Sequence, residues 1–593
     1  MNHTFHSILI ITFGLITQSI AEPIPVRETD QIDIVNHTPP EVYHGQMVIR
    51  VRTNSDAQLD AMLALTESVW TEHTGVGPLD IQIKRSNLDA ITALGIPHDV
   101  LIEDLQAHTN ANWNRIVEIE RQEQEAQVIN QGQRGAGVHD DTWFSNYKPL
   151  LRILMYINNI VALRPDLAST DIIGQSWEGR DMFSITITGP DTPENPQSER
   201  PVIYLFSTVH AREWIAPMTT VYFASKFVED YDTNPRVQAI LDSTRIVIVP
   251  VGNPDGYFYS WSIARNWRNT RRDNGDGTIG VNINRNWGYE WGNEGSSGDT
   301  SSTNYRGTAP FSEPETANLR DLALSFGDKL IANMEYHSYS ELVMWPFGYA
   351  ENNITPAPDD TYFDKISFDV AAEMESVHGV LYDNHQSVDL YPAAGNAPDW
   401  FYGELDIPSM LIELRPANAD FNPDPINILP CAQENYAGIQ HYIERVLEPV
   451  SFWHNNYPTY PSAYEFTLRL TAIDSRETID PASTTLYSRI GSANSFKPTP
   501  MLRDGLADYT AHFPQLLCGN IIEYYFQVTT TTGNTYTFPT DGAQTPYTMQ
   551  SEEFVLSSLD DLELESGWIV GSDTDTATAG IWTRMDPQGT ATQ

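Results

Sequence analysis

The chain has 593 residues, of which 40% are apolar, enough for several domains that each bury a core. Asp and Glu number 79 against 34 Lys and Arg, which gives a formal net charge of −45 at pH 7. Such a charge repels phosphates, so the composition argues against a nucleic-acid partner and suits a soluble secreted protein.

Residues 1–21 read as a secretory signal peptide. Ile8 to Ile16 form an apolar core that is too short to span a membrane, and a small-x-small cleavage site ends at Ala21. The alternative is a membrane anchor, which the polar residues inside the stretch disfavour. We therefore expect a secreted protein, extracellular or periplasmic, with no membrane association after the signal is removed.

The next region predicts a small α+β domain. Residues 40–108 alternate between strand-like and helix-like patterns, as in "QMVIRVRT" and "DAQLDAMLALTESV", which indicates an antiparallel sheet with helices. Residues 111–136 are rich in Glu, Gln and Arg and predict a solvated helix. This helix should end at "GQRGAG", an exposed segment of the kind that proteases cut.

From about residue 140 to 449, apolar strands alternate with helical stretches. The strands "RPVIYLFS", "STRIVIVPV", "LIANMEYHS" and "PSMLIELRP" read as buried on both faces, which predicts an α/β domain with a mostly parallel central sheet. After residue 450 the pattern alternates at period two and predicts a β-sandwich to about residue 555. Residues 556–593 look like the start of a further β domain that is cut short. Cys431 and Cys518 could pair or remain thiols.

The strand "RPVIYLFS" leads directly into a group of potential metal ligands. His210 and Glu213 are three residues apart, and His337 ends another apolar strand further along the chain. Two His and one Glu are a known ligand set for hydrolytic zinc, with the fourth position open for water. The competing interpretation of His337 is a hydrogen-bonded core histidine.

Two further features point to hydrolysis. Glu413 lies inside an apolar strand, where a carboxylate is costly unless it is paired or used, so it is either a general base or a partner of Arg415. Five arginines are concentrated within 21 positions, interleaved with Trp and Asn, and could bind a carboxylate or form a solvated face. They are Arg265, Arg268, Arg271, Arg272 and Arg285. "NPDG" at residues 253–256 reads as a turn.

The segment 137–449 resembles the zinc carboxypeptidases of the pancreatic carboxypeptidase A and B branch, the M14 family. The motifs "GQSWEGR", "HAREW", "NPDG", "RNWRNTR", "INRNW", "HSYS" and "IEL" occur in the family's order over about 310 residues. The resemblance implies a carboxypeptidase-like α/β fold and one Zn²⁺ per catalytic domain, bound by His210, Glu213 and His337. It makes Glu413 the general base and Arg268 the group that stabilises the oxyanion.

The resemblance also assigns the substrate contacts. Asn284 and Arg285 match the pair that binds the free C-terminal carboxylate of peptide and protein substrates. Arg212, Ser338, Tyr339 and the mobile Tyr391 match other binding positions. The positions that match the specificity pocket are Met344, Gly348, Ala393, Asn396, Pro398 and Leu411. Because this lining has no charged side chain, we expect neutral C-terminal residues to be preferred, apolar or aromatic ones first.

Residues 40–108 resemble the family's activation domain, so residues 22–136 are expected to be a propeptide. The zymogen would be activated by a protease that cuts the linker at 111–136, most simply after Arg134. Two alternatives stay open from the sequence: a peptidase of the same fold that acts on cell-wall peptides, and a secreted binding or adhesion protein.

Overall fold

The computed structural model describes residues 24–25, 27–71, 75–129, 137–351, 355–356, 358–417, 420–462, 465–513 and 516–552. The chain divides into two compact units, Met1–Pro449 and Val450–Gln593. The predicted signal peptide, the predicted cleavage site in the linker and the predicted further β domain lie outside the described residues.

The first unit begins with a small α+β domain. Its strands are β1 (Gln46–Arg52), β2 (Thr66–Val69), β3 (Pro78–Lys84) and β4 (His98–Ile102), and its helices are α1 (Asp56–Leu63) and α2 (Leu88–Ala93). The strands form an antiparallel sheet in the order β2-β3-β1-β4. One face packs Ile, Val, Leu and Met side chains against the two helices.

Helix α3 (Leu105–Ile129) corrects the prediction of a solvated linker helix. It begins six residues before position 111, and Trp113, Ile116 and Val117 on one face are buried. The Glu, Gln and Arg residues that follow them in the helix obscured this apolar face. Ion pairs fix the same helix to the α/β domain, for example Lys148 with Glu123 at 2.7 Å.

The α/β domain follows in the same unit. Its strands are β5 (Ala168–Gln175), β6 (Asp181–Ile187), β7 (Val202–Ser207), β8 (Arg245–Val249), β9 (Leu330–Ser338), β10 (Leu342–Trp345), β11 (Asp383–Gln386) and β12 (Ser409–Leu414). Its helices are α4 (Leu150–Leu163), α5 (Ile215–Asp230), α6 (Pro235–Ser243), α7 (Pro254–Ser262), α8 (Pro314–Ser325), α9 (Asp359–His378), α10 (Ser387–Leu390), α11 (Ala397–Leu405) and α12 (Ile428–Leu447).

The eight strands form one mixed sheet in the order β11-β10-β12-β9-β7-β8-β6-β5. The four central strands, β12, β9, β7 and β8, are parallel, while β6 and β5 are antiparallel additions at one side. This confirms the predicted mixed, mostly parallel sheet. Because neighbouring parallel strands end at the same edge, the residues after β7 and at the ends of β9 and β12 meet there.

The second unit is all-β, as the period-two pattern predicts. Its strands are β13 (Val450–Trp453), β14 (Thr459–Pro461), β15 (Phe466–Asp474), β16 (Thr485–Ile490), β17 (Lys497–Pro500), β18 (Leu502–Arg503), β19 (Asp508–Phe513), β20 (Ile521–Thr529), β21 (Thr535–Phe538) and β22 (Tyr547–Glu552). They form two sheets, β13-β15-β19-β18 and β14-β22-β20-β16-β17 with β21 paired to β20, around one apolar core.

Cys431 is buried and Cys518 is exposed, and both are free thiols. Among the described residues, we find no helix with the length and hydropathy needed to cross a membrane.

Candidate active site

The three predicted metal ligands meet at the carboxyl edge of the parallel strands. Nδ1 of His210 lies 2.8 Å from one carboxylate oxygen of Glu213, and Nδ1 of His337 lies 3.0 Å from the other. One ligand atom from each residue fits within a 4.8 Å cluster, and all three side chains are buried. Three such donors facing one point form a set that suits a tetrahedral zinc ion with one open position.

A hydrogen bond from Thr208 to the main chain at Pro250 holds the loop between β7 and α5. Thr208 has φ of 59°, a left-handed conformation that is costly for a threonine and that is found mostly at functional sites. Its hydroxyl donates to the carbonyl of Pro250 at 2.8 Å, which holds the turn in place. His210 and Glu213 therefore follow a turn that is strained and is held in place by this hydrogen bond.

Residues 253–256 do more than form the predicted turn. Asn253 caps α7 by accepting from the main-chain N–H of Gly256, and its own amide donates to the carbonyls of Val209 and Asn269 at 3.1 Å each. Asn253 thus ties the metal-ligand loop to the segment that carries Arg268. Sequence reasoning missed this role because the carbonyls come from distant parts of the chain.

Charges around Glu213 keep it ionised. Burial alone would raise the pKa of this carboxyl, but His210 and His337 outweigh burial and lower the pKa to about 2. For His337, burial by itself would lower the pKa, but the carboxylates of Glu335 and Glu213 raise the pKa well above its usual range. The pocket between these groups therefore stabilises positive charge.

Glu413 lies beside His337, because β12 pairs in parallel with β9 and puts the two residues in register. The alternative partner, Arg415, is bound by Glu434 instead: its Nε is 2.7 Å from one oxygen of that carboxylate. Glu413 lines a cavity together with His337 and Arg285. The structure therefore gives Arg415 a different carboxylate partner, Glu434.

Of the five predicted cationic residues, Arg265, Arg268 and Arg285 are buried, whereas Arg271 and Arg272 are partly exposed. Arg268 and Arg285 therefore do not belong to a solvated face. Arg268 is 5% exposed and its Nη1 lies 3.7 Å from Glu213. Arg285 is 1% exposed and donates to the carbonyls of Asn284 at 2.7 Å and Gly295 at 3.0 Å. The Asn284 amide oxygen accepts from the N–H of Ala397 at 2.9 Å, and its NH₂ nitrogen lies 3.2 Å from Nε2 of His337.

The cavity beside these residues contains most of the predicted specificity pocket. Its lining comprises Asn284, Arg285, His337, Met344, Ser387, Leu390, Tyr391, Ala393, Asn396, Pro398, Leu411 and Glu413. Gly348 is beside it, since a side chain there would come within 3.3 Å of Asn396. Ser387 and Leu390 are lining residues that sequence reasoning missed.

Asp399, next to the pocket, is turned away from it. Both of its carboxylate oxygens accept from the N–H of Gly348, at 2.9 and 3.1 Å. Burial raises the pKa of Asp399 to about 7, although the Gly348 and Asn396 hydrogen bonds oppose the shift. Asn396 is itself held by the carbonyl of Ala393 and by the N–H of Asp399. These contacts leave Asp399 occupied with main-chain groups.

The remaining predicted binding residues form an outer group. The guanidinium of Arg212 stacks on Phe421 at 3.8 Å, and Tyr339 packs against the same ring with centroids 4.8 Å apart. The N–H of Ser338 donates to Glu213 at 3.3 Å. Sequence reasoning missed Phe421, because no local pattern around it differs from an ordinary loop.

The site has the residues of a zinc hydrolase. Comparison with known proteins identifies the family. The family model described as "Zinc carboxypeptidase" matches residues 153–438. "Carboxypeptidase A2" of Rattus norvegicus is 31% identical over 68% of this chain and 95% of its own length. "Carboxypeptidase B" of Astacus astacus is 32% identical over 50% of this chain and 96% of its own length.

Solved structures agree in fold. "Carboxypeptidase A from Helicoverpa Armigera" has a TM-score of 0.58 at 22% identity, and covers 68% of this chain and 98% of that one. "Thrombin activatable fibrinolysis inhibitor (TAFI)" has a TM-score of 0.57 at 23% identity with the same coverage. The chain belongs to the M14 family of zinc carboxypeptidases, and it is a metallocarboxypeptidase. The alternative of a binding or adhesion protein is thereby set aside.

Proposed function

We propose that this protein is a secreted zinc exopeptidase that removes neutral C-terminal residues from peptides and proteins. The observation that carries the proposal is the convergence of His210, Glu213 and His337 beside a cavity that also contains Glu413 and Arg285. His210, Glu213 and His337 would hold the zinc ion, which would polarise the scissile carbonyl and a water molecule when bound. The remaining chemistry belongs to side chains of the chain itself.

Glu413 takes a proton from the attacking water and returns it to the leaving amine. Arg268, close to Glu213, donates to the oxygen that becomes negative during the attack. Arg285 and the NH₂ group of Asn284 bind the free α-carboxylate of the substrate, which restricts cleavage to the last peptide bond. Tyr391, in the cavity lining, closes over the bound residue.

The apolar part of the pocket supports a preference for apolar or aromatic C-terminal residues. Met344, Leu411, Ala393 and Pro398 supply aliphatic surface, and a charged substrate group would lose its hydration there without a partner. Competition between peptides ending in Phe, Leu, Lys and Glu at equal concentration tests this. We expect Phe and Leu to be released first; faster release of Lys or Glu contradicts the preference.

Contacts between the predicted activation domain and the outer binding residues support the proposal that the protein is made as a zymogen. The hydroxyl of Tyr339 donates to Asp80 on β3 at 3.0 Å, and Arg212 donates to the carbonyl of Trp70 at 3.4 Å. The Trp70 ring also packs against Phe421, with centroids 5.3 Å apart. A peptide cannot pass these positions while the domain is in place.

Helix α3 secures the same loop from the other side. His108 lies 3.1 Å from Asp420, and the amide of Asn112 donates to the carbonyl of Asn422 at 3.0 Å. Cutting the linker beyond α3 would let the whole propeptide leave. The test compares uncut precursor with protein cut after Arg134: activity should rise on cutting, and equal activities would rule out an inhibitory propeptide.

Secretion rests on the predicted signal at residues 1–21. Expression of the whole chain with N-terminal sequencing of the product tests it. We expect the mature chain in the medium or periplasm to start at Glu22; retention of the first 21 residues would contradict the prediction.

A further inference from the structure

The residues that follow Arg285 turn back and hold its guanidinium. Nε of Arg285 donates to the carbonyl of Gly295 at 3.0 Å, and Nη1 donates to the carbonyl of Asn284 at 2.7 Å. Arg285 is only 1% exposed, so neighbouring groups surround it. Because the N–H groups of a guanidinium have fixed directions, two acceptors on different parts of the chain determine its orientation.

Gly295 is also the place where a second loop approaches most closely. A Cβ atom at position 295 would lie 1.8 Å from the carbonyl oxygen of Pro392 and 2.8 Å from the main-chain nitrogen of Ala393. The φ angle of Gly295 is 76°, in the left-handed region that favours glycine. Any side chain here would have to push the main chain at Pro392 away, because both atoms would lie well inside van der Waals contact.

A second glycine makes the matching contact from the other loop. Gly395 has a φ angle of 78°, and a Cβ atom there would lie 2.5 Å from the carbonyl oxygen of Arg285. Two main-chain hydrogen bonds join the same segments. The N–H of Trp287 donates to the carbonyl of Gly395 at 3.0 Å, and the N–H of Ala394 donates to the carbonyl of Glu294 at 2.9 Å.

These contacts form a glycine junction, defined as residues 285–287, 294–295 and 392–395, which joins two parts of the substrate pocket. Tyr391 lies directly before its last segment, and both Tyr391 and Arg285 line the same cavity. A displacement of the junction therefore changes where the guanidinium and the tyrosine loop stand relative to each other. Misplacement of a positioning group by about 1 Å can lower the rate by about 100-fold.

We propose that Gly295 is a positioning residue for recognition of the substrate's terminal carboxylate. Its carbonyl directs the guanidinium of Arg285, and its lack of a side chain lets the loop of Tyr391 pack against the same segment. The inference rests on the proposed function, in which Arg285 binds the free α-carboxylate. Gly295 itself is not part of the cavity lining, so it acts through Arg285.

Gly295→Ala tests the proposal in the full-length chain, assayed after the linker has been cut. The value of kcat/KM is measured for a peptide ending in Phe and for its C-terminal amide, with zinc content determined on the same sample. We expect kcat/KM for the free acid to fall by about tenfold, since a hydrogen bond to a charged group is misaligned. The value for the amide and the zinc content should stay at the wild-type level, because neither depends on the terminal charge.

The matched control is Gly292→Ala in the same loop. Gly292 has a φ angle of 91°, so alanine is also strained there, but the atom nearest to its Cβ would be Nε of Arg306 at 3.6 Å. This variant should match the wild type for both peptides. An equal loss in Gly292→Ala would make loop strain the cause, and a parallel loss for acid and amide in Gly295→Ala would indicate general structural support. Either result overturns the proposal.

Two further measurements apply if Gly295→Ala does not accumulate. Gly395→Ala disturbs the junction from the other side and should cause the same selective loss. In the wild type, hydrogen exchange at the N–H groups of Ala394 and Trp287 should be slower with N-acetyl-phenylalanine than with its amide, because a ligand that holds Arg285 stabilises the junction. Equal exchange with the two ligands contradicts the proposal.

The two levels of the account fail in different ways. Wild-type discrimination between acid and amide that is retained in the variants at Gly295 and Gly395 refutes only this inference. A wild type that does not discriminate between acid and amide refutes the proposed function as well.

Discussion

The cleft of the catalytic domain buries three arginines, whereas the surface of the proposed activation domain that contacts it buries a carboxylate. Arg212, Arg268 and Arg285 are at most 5% exposed. Asp80 is 1% exposed, but two nitrogens of Arg50 already hold it, at 2.6 and 2.8 Å, and Tyr339 adds a third contact. The buried anion of the proposed activation domain is thus neutralised mainly by Arg50 of the same domain.

This difference would let the proposed activation domain block the cleft without imitating a substrate. The residues that line the cavity at Arg285 and Glu413 all come from the catalytic domain. The activation domain contacts Arg212, Tyr339 and Phe421, which are further out. We infer that the propeptide closes the approach to the site and leaves the catalytic groups assembled, so that cutting the linker is sufficient for activity.

Within the cleft, the largest effect on catalysis is expected from a substitution at Glu413. Glu413→Gln in the cut enzyme should lower kcat by about 10²–10⁴-fold, because general base catalysis is lost while the fold and the zinc ligands remain. Steady-state kinetics with zinc content measured on the same sample checks this. The control is Glu315→Gln, which replaces a buried glutamate elsewhere in the domain. Unchanged turnover in Glu413→Gln would exclude Glu413 from the mechanism.

A weaker effect is expected at the carboxylate-binding end. Arg285→Ala should lower kcat/KM for peptides with a free C-terminus by at least about tenfold, since hydrogen bonds to a charged group contribute about 1.5–3 kcal/mol. The measurement compares each peptide with its C-terminal amide. The wild type should discriminate strongly between the two and the variant should not; discrimination retained by the variant would place the carboxylate elsewhere.

Inhibition by the proposed activation domain should be weakened by a substitution at Asp80. Asp80→Asn should raise the activity of the uncut precursor by about tenfold, because the hydrogen bond from Tyr339 loses its charged acceptor and such bonds contribute about 1.5–3 kcal/mol. Asp99→Asn is the control, since its pair with Arg52 is exposed on both sides. Equal activity of the two precursors would exclude Asp80 from inhibition.

Residues in short motifs at strand ends were predictable from the sequence, and residues that act through tertiary contacts were not. His210, Glu213, His337 and Glu413 stand out because polar groups interrupt apolar strands, and parallel strands bring their ends together. Nothing near Asp80 in the sequence indicates its contact with Tyr339, and nothing near Phe421 indicates its contact with Arg212; these partners are more than 250 and 200 positions away.

Helix α3 shows the same limit in the fold. Its charged composition indicated solvent on all sides, yet Trp113 and Ile116 are buried against the α/β domain. Composition records the average over the helix, whereas packing depends on one face. The α/β sheet was predictable because each of its central strands is a nearly continuous apolar run.

The central claim is that His210, Glu213 and His337 hold one zinc ion, and metal content measures it most directly. Elemental analysis of the wild type at stoichiometric zinc should give one zinc per chain, and His337→Ala should give almost none, while His385→Ala in the same domain should match the wild type. Full zinc retention in His337→Ala would contradict the account.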